Sequence, residues 1–102
     1  MLFLQISKHS PESCPMHNEI VKKATVDLMT KMGSLTKKHG IKVIGGWHSS
    51  PDHQTVVVFD APDLDSVMKF SMEPEVMTWS GYNITETKPV MKTEETMKLV
   101  SK

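Results

Sequence analysis

Imidazole and thiol side chains are concentrated in two short polar stretches of this 102-residue sequence, residues 8–17 and 47–53. The two stretches hold four of the five histidines and the only cysteine. The residues concerned are His9, Cys14, His17, His48 and His53. Imidazole nitrogen and thiolate sulfur together suit zinc, copper or iron. The two stretches therefore form a candidate transition-metal site, provided that the fold brings them together.

The hydrophobic pattern predicts the element order strand, helix, strand, strand, helix, strand. Apolar and polar residues alternate in the first strand, and β-branched residues dominate the third. The strands are expected at about residues 2–8, 41–47, 55–59 and 82–90. The loop between the second and third strands contains Pro51 and is expected to make a hairpin.

Two main helices are expected between these strands. Ser13 or Cys14 is predicted to cap the first helix, with Pro15 near its first position and its end at about His39. His17 lies four residues before Val21, so this boundary would place it on the buried helical stripe. In the second helix, Asp63 is expected to be the cap and Pro74 to interrupt the helix. Thr93 is expected to cap a short C-terminal helix over residues 93–101.

This order of elements in one domain of residues 1–102 is the ferredoxin-like βαββαβ pattern, an α+β fold. The apolar start, Met1 to Ile6, and the proline-broken second helix, residues 71–75, resemble the dimeric α/β-barrel superfamily. The resemblance implies a four-stranded antiparallel sheet with two helices on one face, and a homodimer whose sheets close one barrel. Its members include small monooxygenases, haem-degrading enzymes and lactone isomerases, so the fold does not choose an activity.

In this topology the first strand ends at the sheet edge where the second strand ends and the third begins. The sequence therefore predicts metal ligands among four side chains: His9, Cys14, His17 and His48. His53 is interpreted as a solvated loop residue. Residues expected to line a pocket at the same edge are Trp47, Met72, Met77, Trp79 and Tyr82. The structural alternatives are a capping or buried Cys14, a His17 bonded to a nearby carbonyl, and a His48 that caps the hairpin.

Composition excludes several partners. The net charge is zero, all twelve basic residues are lysine, and the lysines form no stripe. The absence of arginine argues against nucleic-acid binding, which favours bidentate guanidinium contacts. No stretch approaches the ~20 apolar residues of a membrane span. One cysteine cannot form an internal disulfide, so a reducing, cytoplasmic location is expected.

Three functions follow as hypotheses. The leading one is a small cytoplasmic protein that binds a transition metal through the His/Cys cluster, with zinc first and copper or iron next. The second is a small monooxygenase-like or isomerase-like enzyme that acts on an organic molecule, with haem as a variant cofactor. The third is a non-catalytic ligand-binding or assembly module in which the histidines are incidental.

Overall fold

A four-stranded antiparallel sheet and four helices make up the computed structural model, which describes all residues from Met1 to Lys102. The strands are β1 (Leu2–Lys8), β2 (Lys42–Ser49), β3 (Gln54–Asp60) and β4 (Ile84–Val90). The helices are α1 (Glu19–Lys38), α2 (Leu64–Ser71), α3 (Pro74–Ser80) and α4 (Thr93–Val100). The strand order β2-β3-β1-β4 confirms the predicted ferredoxin-like fold. None of the four helices has the length and hydropathy needed to cross a membrane.

The two faces of the sheet have different surroundings, because side chains alternate along each strand. On one face Phe3 stacks on Phe59 with ring centroids 5.5 Å apart, and both pack in a core with Val67 of α2. The opposite face carries half-buried apolar side chains that belong to neither core cluster. They are Leu4 and Ile6 of β1 and Val56 and Val58 of β3. The helices therefore define an inner face, and the other face is open.

Helix α1 begins four or more residues later than the sequence pattern predicts. Its N-cap is Asn18, whose side-chain oxygen accepts hydrogen bonds from the backbone N–H of Ile20 (3.0 Å) and Val21 (3.1 Å). A 3₁₀ turn over Pro11–Ser13 and a further turn occupy the preceding segment. The predicted cap at Ser13 or Cys14 is therefore wrong. Proline removes a backbone donor, and two prolines within five residues favour separate turns over a continuous helix.

Replacement of Asn18 by alanine tests this helix boundary. We expect Asn18→Ala to lower the free energy of unfolding by about 1 kcal/mol, because two backbone donors at the start of α1 lose their acceptor. Urea unfolding of purified protein measures this change. Ser13→Ala is the matched control, since no hydrogen bond of the Ser13 hydroxyl supports α1. An equal loss in both variants would contradict the placement of the cap at Asn18.

A charged cluster joins the end of α1 to the corner between α2 and α3. Glu73 has extended backbone angles before Pro74, as the proline predicts. Its Oε1 lies 2.7 Å from Lys38 Nζ and 2.9 Å from His39 Nε2. The hydrogen bond from Lys38 first, and that from His39 second, hold the pKa of Glu73 below its ordinary value of 4.5. The ionised carboxylate therefore stabilises this corner.

This cluster predicts how stability changes with pH. Because the folded-state pKa of Glu73 is lowered, its contribution is present above the ordinary value and is lost as the pH falls through the lowered pKa. We expect Glu73→Gln to unfold at a lower temperature than the wild type at pH 7, and the difference to shrink in acid. Thermal unfolding across this pH range measures it, with Glu94→Gln on α4 as the control. A difference that stays constant with pH would contradict the ion pair.

Candidate metal site

Three side chains converge where β1 ends: His9, Cys14 and His53. One donor atom from each lies within 4.8 Å of the other two. His9 and His53 are half-buried, and Cys14 is only 7% exposed. A carboxylate is not part of this group, so its donors are two imidazoles and one thiol. Such a donor set suits a transition metal and does not suit calcium or magnesium.

The pairing of β1 with β3 explains why the two histidines meet. Lys8 pairs with Gln54 in this antiparallel ladder, so the next position along places His9 opposite His53. The backbone N–H of His9 donates a 3.1 Å hydrogen bond to the carbonyl oxygen of His53, which extends the ladder by one residue. The two imidazole rings lie edge to face, with centroids 5.1 Å apart.

The hairpin loop positions His53 through an uncommon backbone conformation. His53 has a φ of +50°, in the left-handed region that few residues other than glycine adopt. Its backbone N–H donates to the carbonyl oxygen of Ser50 at 3.2 Å and closes the loop just before β3. Functional side chains often occupy such conformations because the surrounding structure holds them there. The loop therefore fixes His53 beside β1 and does not leave it free in solvent.

The distance between the two imidazole nitrogens fits one shared metal ion. His9 Nε2 and His53 Nδ1 are 3.3 Å apart. Two nitrogens bound at about 2.0–2.1 Å to one tetrahedral zinc lie roughly 3.3 Å from each other. The same distance also allows one ring nitrogen to donate a hydrogen bond to the other when no ion is bound. The observed spacing therefore matches that of two ligands on one ion.

The protonation of His9 also favours metal binding. Burial is the first cause that lowers its pKa below the ordinary 6.5, and the nearby His53 and His48 lower it further. The Asn83 side chain, which can hydrogen-bond the charged ring, opposes this shift. A lowered pKa keeps the imidazole neutral near pH 7, and a metal binds only the neutral ring.

Turns on either side hold the Cys14 backbone in place. Its N–H donates to the Pro11 carbonyl oxygen at 3.3 Å, and its own carbonyl accepts from the N–H groups of His17 (3.0 Å) and Asn18 (2.9 Å). These bonds connect Cys14 to the cap of α1. The thiol is free of any disulfide, so it is available as a ligand. Because α1 begins only after Asn18, Cys14 does not lie at the first turn of that helix as the sequence pattern suggested.

Two predicted ligands lie outside this group of three donors. His17 precedes α1 and is exposed, so the expectation that it lies on the buried helical stripe is wrong. His48, near the end of β2, is also exposed, and its Nδ1 is 2.9 Å from the Thr55 hydroxyl. His48 nevertheless lines a cavity of about 270 Å³ together with His9. His48 is thus a neighbour of the site, and His17 is not.

The predicted pocket residues do not line one common pocket. Trp79 lines the cavity that contains His9 and His48, and Tyr82 lines an open cleft beside His9 and His53. Met72 and Met77 are exposed and line neither. Trp47 lies on the open face of the sheet, because it pairs with Val56, whose side chain is on that face. Its indole lies so close to Gly45 that a Cβ there would approach it to 2.7 Å.

His53 lies in the loop before β3, as the sequence pattern predicts, but it is half-buried and close to His9 and Cys14. Polar loop residues are usually exposed, but His53 directly precedes β3 and lies opposite the end of β1. The signal that could have identified His53 as a neighbour of His9 is the register of the β1–β3 pairing. If β1 and β3 pair along their full lengths, the residue after β1 and the residue before β3 become neighbours. The hydrophobic alternation alone leaves that register open by steps of two residues.

The chain matches one protein family and is similar in fold to solved structures. The family described as a domain of unknown function (DUF3303) matches residues 1–102. No curated protein matches the sequence significantly. A crystal structure of an antibiotic biosynthesis monooxygenase is similar in fold, with a TM-score of 0.55 and 13% identity over 89% of this chain and 99% of its own. An uncharacterized NIPSNAP domain protein from Burkholderia xenovorans has a TM-score of 0.50 and 8% identity over 91% and 97%. The similarity to the monooxygenase structure confirms the predicted ferredoxin-like fold.

Proposed function

We propose that this chain, which belongs to the DUF3303 family, is a small protein that binds one transition-metal ion through His9, Cys14 and His53. The observation that carries the proposal is the convergence of two imidazoles and a thiol within 4.8 Å of one another. Zinc is the first choice, because mixed nitrogen and sulfur ligands in tetrahedral geometry are typical of it. Copper and iron follow, since both accept imidazole and thiolate.

Three protein ligands would leave one coordination position for water or substrate, which is the pattern of catalytic zinc sites. A bound metal would supply a Lewis acid or an activated water at that position. His48 and His9 line the same cavity, so His48 is placed to exchange protons near the site. A small enzyme acting on an organic molecule is therefore our second candidate, and the adjoining cavity is the observation that favours it.

We also propose that two copies of the chain associate through the open face of the sheet. Half-buried apolar side chains occupy the centre of that face, and Trp47 at its side is 61% exposed. Apolar surface of this kind marks interaction sites in folded proteins. A twofold dimer would bury the same patch of each copy against the other.

A reducing, cytoplasmic location accords with the proposed metal site, because its thiol ligand must stay unoxidised.

Elemental analysis of untagged protein tests the metal proposal. The protein is purified without chelators, loaded with zinc, desalted and assayed for metal, while its absorption spectrum is recorded. We expect one metal ion per chain and no haem band. Protein that stays metal-free after incubation with zinc, copper and ferrous ions would overturn the proposal. A strong visible band that reports haem would instead support the haem variant of the enzyme hypothesis.

A further inference from the structure

A second cavity of about 220 Å³, here called the chamber, lies between the inner face of the sheet and the helices. Its walls are mainly apolar. Three aromatic residues contribute to them, Phe59 of β3, Phe70 of α2 and Trp79 of α3, and Leu28 of α1 adds to the same lining. Ligand sites are typically concave and apolar, with a few polar groups that orient the ligand.

The polar groups that line this cavity fall into two pairs. Thr25 and Thr55 already have partners, since Thr25 Oγ1 donates to the Val21 carbonyl at 2.8 Å and Thr55 Oγ1 bonds His48. Gln5 and Ser7 of β1 have no side-chain hydrogen bond to the protein. Ser7 is only 5% exposed, and both Ser7 and Gln5 line the cavity. Ser7 and Gln5 are therefore polar groups in an apolar chamber that a ligand can satisfy.

The chamber adjoins the cavity beside the candidate metal site. Both are lined by Thr25, Thr55 and Trp79. Strand pairing explains why the two cavities are neighbours, because Ser7 pairs with Thr55 and Thr55 pairs with His48 in one row across the sheet. A molecule held against Ser7 would therefore lie on the His48 side of the chamber, with Thr55 between Ser7 and His48.

We infer that this chamber binds a small, flat, largely apolar molecule that carries a single hydrogen-bonding group, held by Ser7 and Gln5. A dry cavity of about 150 Å³ accommodates benzene, so about 220 Å³ fits one ring or two fused rings. The aromatic walls favour a flat ring system over a branched chain. That such a molecule is the substrate of the metal site rests on the proposed function, whereas its binding to the chamber does not.

Fluorescence titration with 2-naphthol and with naphthalene tests the inference on chelator-treated protein. We expect saturable binding of both, with 2-naphthol at least about threefold tighter because its hydroxyl finds a partner. Val57→Phe, which fills the chamber from β3, should weaken both ligands at least about tenfold. Val26→Phe, at an exposed position of α1, is the matched control and should leave both affinities unchanged.

Ser7→Ala gives a second test that does not depend on filling the chamber. We expect it to remove the preference for 2-naphthol over naphthalene while naphthalene binds as before. No saturable binding by the wild type, or wild-type affinities in both Val57→Phe and Ser7→Ala, would overturn the inference. Because metal is removed throughout, such a failure would leave the metal proposal to its own elemental analysis.

Discussion

Replacement of His53 by alanine is expected to abolish stoichiometric zinc binding, with at least about a hundredfold loss of affinity, while the fold survives. The reason is that the imidazole of His53 is one of only three donors in the group. Two remaining ligands hold zinc far more weakly than three. Zinc content after equilibrium dialysis against a competing chelator measures the loss, and far-UV circular dichroism checks the fold. His9→Ala and Cys14→Ser should behave in the same way.

His17→Ala is the matched control for this series. It removes an imidazole only three residues from Cys14, but from an exposed position outside the group of donors. We expect it to retain wild-type zinc content. Added zinc should also raise the unfolding temperature of the wild type and of His17→Ala, since a ligand that binds only the folded state stabilises it. Loss of zinc from His17→Ala with retention in His53→Ala would show that the ligand set is wrong.

Replacement of Val58 by lysine is expected to convert a dimer into a monomer. Val58 lies on β3 and shares the open face with Leu4, with which it pairs. In a twofold interface each copy would bury a new ammonium group, at a cost of several kcal/mol per ion. Sedimentation velocity at micromolar concentration measures the change in mass.

Val26→Lys places the same charge at a position of α1 that is 53% exposed, and it should leave the dimer intact. A wild-type protein that sediments as a monomer at these concentrations would contradict association through the open face. So would a Val58→Lys variant that remains a dimer. In either case a different partner chain would have to cover the half-buried apolar residues of the open face.

The strands and most of the helix pattern could be predicted from the sequence, because alternation and helical periodicity are local signals. Val21, Ala24, Leu28 and Leu35 are buried on α1 as the spacing indicates. Pro74 separates α2 from α3, since the residue before a proline avoids helical angles. The start of α1 was not predictable in the same way. Several residues there can act as caps, and the choice depends on turns made by Pro11 and Pro15.

The candidate site was predicted in outline only. The topology correctly brings the end of β1 and the hairpin loop to one edge of the sheet, which is why His9 and Cys14 are found near His53. Whether His53 or His17 lies close to His9 and Cys14 depends on strand register and on where α1 begins. Both are set by tertiary packing. A one-residue change of strand register moves a side chain to the opposite face of the sheet, and a one-residue shift along a helix turns it by roughly 100°.

X-ray absorption at the zinc edge of the loaded, untagged wild-type protein tests the ligand set most directly. Binding by His9, Cys14 and His53 predicts one sulfur neighbour at about 2.3 Å and two imidazole nitrogens at about 2.0–2.1 Å. Cys14→Ser should lose the sulfur shell. A wild-type spectrum with only nitrogen and oxygen neighbours would exclude Cys14 and contradict the site proposed here.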